Sequence, residues 1–181
     1  SFFQTAKLQP EEAPISEFHF GNNALALAST YAVICAPSQF EVFAGACYGY
    51  KTLDSGQSWV FSQQLLPSFS EAVSVDSFGK KVAIDKDKIL IASTSESSRT
   101  QSAVYYFYTP DEGSSFTNEC ILISNSSQQD ANSFGTALAI SDSEAFVGDR
   151  FHNYLDSEEF IDSGTVFAYN LTEKSIETPT L

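Results

Sequence analysis

The sequence predicts an all-β fold: a β-propeller segment of three four-stranded antiparallel blades, with one N-terminal strand belonging to a preceding blade. Three observations carry this. A Phe-Gly dipeptide recurs at Phe20-Gly21, Phe78-Gly79 and Phe134-Gly135, in steps of 58 and 56 residues. The same order of apolar runs and polar turns follows each dipeptide. Those runs are apolar on both faces, as expected for sheets packed front and back by their neighbours, whereas a β-sandwich would show cleaner inside-outside alternation.

The elements follow in chain order. "SFFQTAKLQP" (1–10) aligns with "SWVFSQQLLP" (58–67), placing Ser1 under Ser58, Phe2 under Trp59, Leu8 under Leu65 and Pro10 under Pro67, so the chain opens on a fourth strand. The first blade spans 18–67: "ALALA" after Phe20-Gly21, then "AVICAP", "ACYGY" and the 58–67 strand. The second spans 76–124, with "VAI", "KILIAS", "AVYYFY" and "SFTNECILIS". The third spans 132–181, with "ALAI", "EAFVGD", "TVFAY" and a fourth strand expected near "KSIETPTL". Propellers close with about four to eight blades, so three blades and a loose strand expose two sheet edges. Because both ends fall inside the repeat, the missing blades are expected from a longer polypeptide, with partner copies as the alternative.

Composition excludes several classes. The chain has 181 residues, 43% hydrophobic and 14% aromatic, enough for a packed core. Nine basic residues against 23 acidic ones give a formal charge of -14, which repels nucleic acid and anionic membranes. The richest apolar stretch, 24–37, is interrupted by Ser29, Thr30 and Tyr31 and is too short for a membrane span. Three cysteines without metal spacing or a nearby histidine do not make a zinc site.

The repeat unit, Phe-Gly followed by "VAI" or "LAI" and an apolar strand ending near a Gly-Ala-Pro-like corner, resembles the FG-GAP repeat of the integrin α-subunit propeller and of many surface proteins. The corner is degenerate here: Cys35-Ala36-Pro37, Ile91-Ala92-Ser93 and Val147-Gly148-Asp149. The resemblance covers nearly the whole chain. It implies an adhesive or scaffolding role, protein partners including the remaining blades and, beside the two sequons described below, an extracellular or cell-surface location; no cofactor is expected. Integrin-type repeats often carry an Asp-rich calcium loop between strands one and two. The corresponding turns here, "LASTYA", "IDKDKI" and "ISDSEA", lack its length and glycine, so no metal is expected, and Asp85 and Asp87 read as surface-turn residues.

In this family the loops joining strands two and three share the usual ligand face. The third of them, 150–164, is long and chemically mixed, and with the strand end before it offers Asp149, Arg150, His152, Tyr154, Asp156, Glu158, Glu159 and Asp162 as candidate ligand-binding residues. An ordinary insertion is the plainer reading. No catalytic residues emerge: neither His19 nor His152 sits in a triad pattern, and adjacent acids such as Asp156 and Glu159 do not have the contrasting environments that acid catalysis needs. The chain is therefore expected not to be an enzyme. The other readings are an accessory propeller of a larger enzyme and a purely structural subunit.

The motif residues Phe20, Gly21, Phe78, Gly79, Phe134 and Gly135 are given structural work: the ring fills the wedge between blades and the glycine permits close backbone approach. His19 is expected to pack at a blade entrance, and Trp59 to serve as a wedge aromatic. Cys35 and Cys47, aligned with Ile91 and Val104 of the second blade, are either a cross-strand disulfide or two buried apolar substitutes. Asn125 and Asn170 head glycosylation sequons, though a Ser/Thr-rich chain produces such triplets by chance.

Overall fold

A computed structural model describes residues 4–10, 19–22, 24–37, 45–67, 77–94, 102–124, 133–152 and 163–172. Within them every regular element is a strand. Blade 1 contains β1 (Leu25–Leu27), β2 (Tyr31–Ala36), β3 (Ala46–Lys51) and β4 (Val60–Leu65); blade 2 contains β5 (Phe78–Asp85), β6 (Lys88–Ser93), β7 (Ala103–Tyr108) and β8 (Thr117–Leu122). Blade 3 contains β9 (Phe134–Ser141), β10 (Glu144–Asp149) and β11 (Thr165–Asn170). The three sheets are antiparallel meanders of four, four and three strands. The fourth strand expected for blade 3 lies outside the described residues.

Register repeats from blade to blade. Ala36 pairs with Ala46, Ser93 with Ala103 and Asp149 with Thr165, each at the end of a β2–β3-type hairpin. A bulge falls between Gly49 and Tyr50 in blade 1 and between Tyr106 and Phe107 in blade 2, the same place in the repeat. Register also shifts just after the Phe-Gly pair in blades 2 and 3, between Phe78 and Lys81 and between Gly148 and Asp149. These irregularities are therefore part of the repeat.

Each Phe of the dipeptide meets the same two aromatic positions of its own third strand, edge to face. Phe20 lies 5.8 Å from Tyr48 and 6.3 Å from Tyr50, Phe78 lies 5.2 Å from Tyr105 and 6.3 Å from Phe107, and Phe134 lies 5.6 Å from Phe167 and 6.3 Å from Tyr169. We call the face carrying this triplet the leading face, because in blades 2 and 3 it packs on the blade before; the opposite face is the trailing face. The T-shaped contacts add to the area each ring buries, worth roughly 1.5–3 kcal/mol for a fully buried Phe.

The glycines show why the dipeptide needs them. Gly79 has φ 89°, and a Cβ there would come within 2.7 Å of Cys35 Cβ and 3.0 Å of Cys47 Sγ. Gly135 has φ 91°, and its Cβ would come within 2.9 Å of Ala92 Cβ and 3.2 Å of Val104 Cγ2. In both cases the glycine of one blade rests on the adjoining strand-two and strand-three residues of the blade before. The blade-2 counterpart of Cys35 is therefore Ala92, not Ile91: the register pairs Ala92 with Val104 as it pairs Cys35 with Cys47. Ile91 lies one residue off and points to the opposite face, because strand side chains alternate.

Two cores result. Val33, Cys35, Cys47 and Leu65 of blade 1 meet Phe78, Ile89, Ile91 and Tyr105 of blade 2. Leu90, Ala92, Val104 and Leu122 of blade 2 meet Phe134, Ala145 and Val147 of blade 3. Blade 2 is thus covered on both faces, and β6 and β7 are buried almost throughout.

The segment Gln4–Pro10 is not a regular strand in the structure, in contrast to the expectation for 1–10. It nevertheless contacts the first blade. Leu8 packs with Ala36, Ala46, Tyr48 and Tyr50 on the leading face of blade 1, and Tyr50 Oη donates to Gln9 O at 2.8 Å. The same contact recurs one interface later, where Tyr169 Oη donates to Ile123 O, just after β8, at 2.9 Å. The opening segment therefore lies against blade 1 as the outer strand of blade 2 lies against blade 3.

Candidate functional site

The base of the β10–β11 loop is where the described residues include several of the candidates. Asp149 ends β10 and is turned inward, with 2% exposure. It accepts from Ser133 Oγ, which in turn accepts from Phe151 N at 3.0 Å. His152 stands with Nδ1 4.0 Å from Asp149 Oδ2 and its ring edge-on to Phe167 at 5.3 Å. Its carbonyl accepts from Gly164 N at 3.0 Å and Ser163 Oγ at 3.2 Å, closing the loop neck. Asp149 and His152 thereby anchor the loop. Arg150 is exposed and lies 4.3 Å over the ring of Phe151, itself 41% exposed, so these two form the outward surface of the neck. Tyr154, Asp156, Glu158, Glu159 and Asp162 lie outside the described residues.

The turns between first and second strands use their acids between blades. Lys86 has φ 54° and Asp142 has φ 51°, each at the corner of its hairpin. Lys86 Nζ pairs with Asp142, and Asp142 N donates to Asp85 Oδ2 at 2.6 Å, so the two turns are tied together at the surface. Tyr31 Oη of blade 1 donates to Lys86 O at 2.8 Å, joining blade 1 to the same blade-2 turn; burial first, then the charges of Asp87 and Asp85, raise its pKa. Among the described residues no group of three or more His, Cys, Asp or Glu side chains could hold a metal ion.

A second repeated device was not recognised in the sequence. In blade 1, Thr52 Oγ1 donates to Asp54 Oδ1 and accepts from Gly56 N, while Asp54 accepts from Ser58 N and Ser58 Oγ. Blade 2 repeats every bond with Thr109, Asp111, Gly113 and Ser115. The side-chain hydrogen bond from Ser58, its backbone bond and that from Thr52 pull the Asp54 carboxyl down to about 2, and Asp111 is lowered by bonds from Ser115, Thr109 and Ser114. The readable signal was Thr-x-Asp-x-Gly-x-Ser-aromatic, recurring after 57 residues as "TLDSGQSW" and "TPDEGSSF". The device sets the entry of the fourth strand and places the aromatic that follows. Phe116, 5% exposed, covers Gly49 of blade 1 and lies 5.7 Å from Tyr31, while Trp59 packs on the leading face of blade 1 with Nε1 donating to Gly56 O at 3.2 Å.

Cys35 and Cys47 form a disulfide, and neither is exposed. Cys120 is a free thiol whose pKa burial, then Glu119, pushes up to about 12. His19 does not pack as expected: it is exposed at φ 48°, with its carbonyl accepting from Asn22 N, because the turn into Phe20 projects it outward. Asn170 is exposed at the end of β11, and its Oδ1 accepts from Thr172 N and Thr172 Oγ1 at 2.9 and 2.6 Å. Asn125 lies outside the described residues.

No helix among the described residues is long and apolar enough to cross a membrane. The chain matches no protein-family model and no curated protein.

Proposed function

We propose that this chain is a non-catalytic binding or scaffolding module of FG-GAP type, acting in adhesion or protein assembly at the cell exterior. The observation that carries this reading is the loop neck on blade 3. Asp149 and His152 turn inward and fix the loop to buried strand ends, and Arg150 and Phe151 are left facing solvent. A rigid base with an exposed cation and aromatic is the arrangement by which scaffold loops present contact residues, and Arg and aromatics dominate binding energy at protein interfaces.

The test replaces 150–161 by a short turn and, separately, makes Arg150→Glu. The labelled chain and both variants are then applied to a panel of immobilised secreted proteins and cell-surface ectodomains. Capture of the parent chain by a panel member, abolished in the loop replacement and weakened at least tenfold by Arg150→Glu with unchanged thermal unfolding, supports the reading. Capture indifferent to both variants removes the loop as the contact surface. The exposed apolar faces of blades 1 and 3 favour a second reading, a structural subunit whose partners cover those faces.

A further inference from the structure

The contact between blades 1 and 2 is built on a bond that can be opened. Near the end of the sheets that carries the β2–β3 loop, Phe78 and Gly79 lie on the Cys35–Cys47 disulfide of blade 1: a Cβ on Gly79 would meet Cys35 Cβ at 2.7 Å, Cys47 Sγ at 3.0 Å and Cys35 Sγ at 3.3 Å. Gly45, at φ 87° just before β3, approaches the backbone of Phe78 as closely, since a Cβ there would strike Phe78 O at 2.2 Å. Val33, Leu65, Phe78 and both cysteines are fully buried in one core, so the two sulfurs are enclosed by packed side chains.

The backbone ties this rung of the sheet weakly. Cys35 N donates to Ala24 O and Cys35 O accepts from Gly21 N, both at 2.9 Å, so both of its backbone polar groups turn to the inner side of blade 1. Toward β3 it faces Cys47 as a non-hydrogen-bonded pair, with Cα atoms 4.0 Å apart, and the strands are joined there through sulfur. Polar ties between blades 1 and 2 stand at the opposite, turn-bearing end and along the outer edge. Tyr31 Oη donates to Lys86 O, Lys51 Nζ donates to Asp111 O at 2.9 Å and Ser114 Oγ at 2.7 Å, and the Gln63 side-chain amide holds both the N–H and the C=O of Phe116, at 2.9 and 3.0 Å.

We propose that the Cys35–Cys47 disulfide is a redox switch on the seating of blade 2, and that its reduction opens the loop end of the blade 1–2 contact while the turn end holds as a hinge. A dithiol reductant supplies the two electrons and two protons. One of its thiolates attacks a cysteine sulfur, its second thiol displaces the mixed disulfide, and the products are two cysteine thiols and the reductant's own disulfide. Sulfurs no longer bonded withdraw to van der Waals contact, which takes more room than the bonded pair. The rung spreads, because no backbone hydrogen bond crosses it, and Phe78 and Gly79 lose their flat seat. The contact between blades 2 and 3 has no such response, since Ala92 and Val104 stand where the cysteines do. Reoxidation restores the seat, so the change is reversible. The inference rests on the blade contact and not on the loop neck, so its failure would leave the binding proposal standing.

Amide hydrogen exchange on the full chain, oxidised and after treatment with dithiothreitol, tests it. Alkylation in denaturant should label Cys120 alone before reduction and all three cysteines after it. In the reduced chain the amides of Gly21 and Cys35, with those of 46–48 and 78–82, should exchange about tenfold faster or more. The Phe116 amide, held by Gln63 across the contact, and those of β10 should keep their oxidised rates. Reoxidation should return the original pattern. Cys35→Ala with Cys47→Val, which copies the Ala92 and Val104 seat, should ignore the reductant. Unchanged exchange in the reduced chain overturns the proposal, as does an equal rise in all three blades, which signals a general loss of stability with the cross-link. A rise at Phe116 equal to that at Gly21 overturns the hinge. A bond that survives excess dithiothreitol until the chain unfolds overturns the switch, and so does a response to the reductant in the double variant.

Discussion

The contact between blades 1 and 2 and the contact between blades 2 and 3 share one geometry and differ in chemistry. At the first, Gly79 rests on a disulfide; at the second, Gly135 rests on Ala92 and Val104. The first also has Phe116 over Gly49, while the positions equivalent to Gly49 in the other blades are Tyr106 and Ala168. What is common to both is a left-handed glycine on a flat pair of small or medium side chains, beside an aromatic triplet. The comparison teaches that the interface selects shape, and that a covalent bond is one of several ways to supply it.

The largest test of that lesson is Gly79→Ala. The new Cβ would lie 2.7 Å from Cys35 Cβ in a backbone conformation that L-residues avoid, and the cross-link limits how far Cys35 can yield. Strain at φ 89° plus overpacking should cost roughly 3 kcal/mol or more. Gly135→Ala should cost somewhat less, because its neighbours at 2.9 and 3.2 Å are not cross-linked. Gly21→Ala, whose Cβ would meet only Ile34 Cγ2 at an ordinary 3.9 Å, should lose about 1 kcal/mol through backbone strain alone. Urea unfolding of the three variants ranks them, and equal losses at all three sites would show that φ alone matters.

Next in size is the exchange of one interface's chemistry for the other's. Cys35→Ala with Cys47→Val copies the Ala92 and Val104 pair. If shape is what counts, the double variant should keep its fold and lose roughly 3 kcal/mol, the loop-closure term for a link spanning 12 residues. A much larger loss, measured by urea midpoint at constant slope, would mean that the alanine–valine pair does not fit under Gly79.

A smaller effect is expected at Tyr105, whose Oη is buried with no hydrogen-bond partner among the described residues and whose pKa burial raises to about 12. The blade-3 counterpart is Phe167. Tyr105→Phe should therefore be neutral or stabilising by up to about 1 kcal/mol, since the hydroxyl's desolvation is not offset. Destabilisation in a melting experiment would contradict this.

The mildest perturbation is acid. Asp54 falls from 3.8 to about 2 in the folded chain, so its contribution is complete above pH 3.8 and fades as pH drops through about 2. Asp111 shifts the same way. Stability followed from pH 5 to 2 should decline over that window, and Asp54→Asn with Asp111→Asn should flatten the decline.

Much of the architecture is legible in the sequence, for a physical reason. Phe-Gly is a compound requirement, an edge-on ring and a left-handed glycine that in blades 2 and 3 touches the blade before, and few other residue pairs meet it, so it survives where the surrounding strands vary. Hydrophobic runs marked the strands because sheets covered on both faces cannot alternate cleanly, as β6 and β7 show. The Ile91 misalignment shows the limit: a run such as "KILIAS" is apolar at every step, so pattern alone does not reveal which face each residue takes, and a slip of one residue inverts it. Asp149 shows another. A carboxylate written at a loop boundary reads as exposed, and only the fold reveals Ser133 beneath it. The Thr-x-Asp-x-Gly-x-Ser turns were readable at their 57-residue step but sit in polar stretches, where attention to apolar periodicity does not fall.

The covered disulfide has one further consequence. A reducing agent cannot meet Cys35 or Cys47 while Gly79 lies over them, since neither sulfur has any route to solvent. Thiol exchange must therefore wait for the first two sheets to part, so that the pace of reduction under native conditions becomes a clock for their breathing. A chemical reagent would thus time a mechanical event inside the stack.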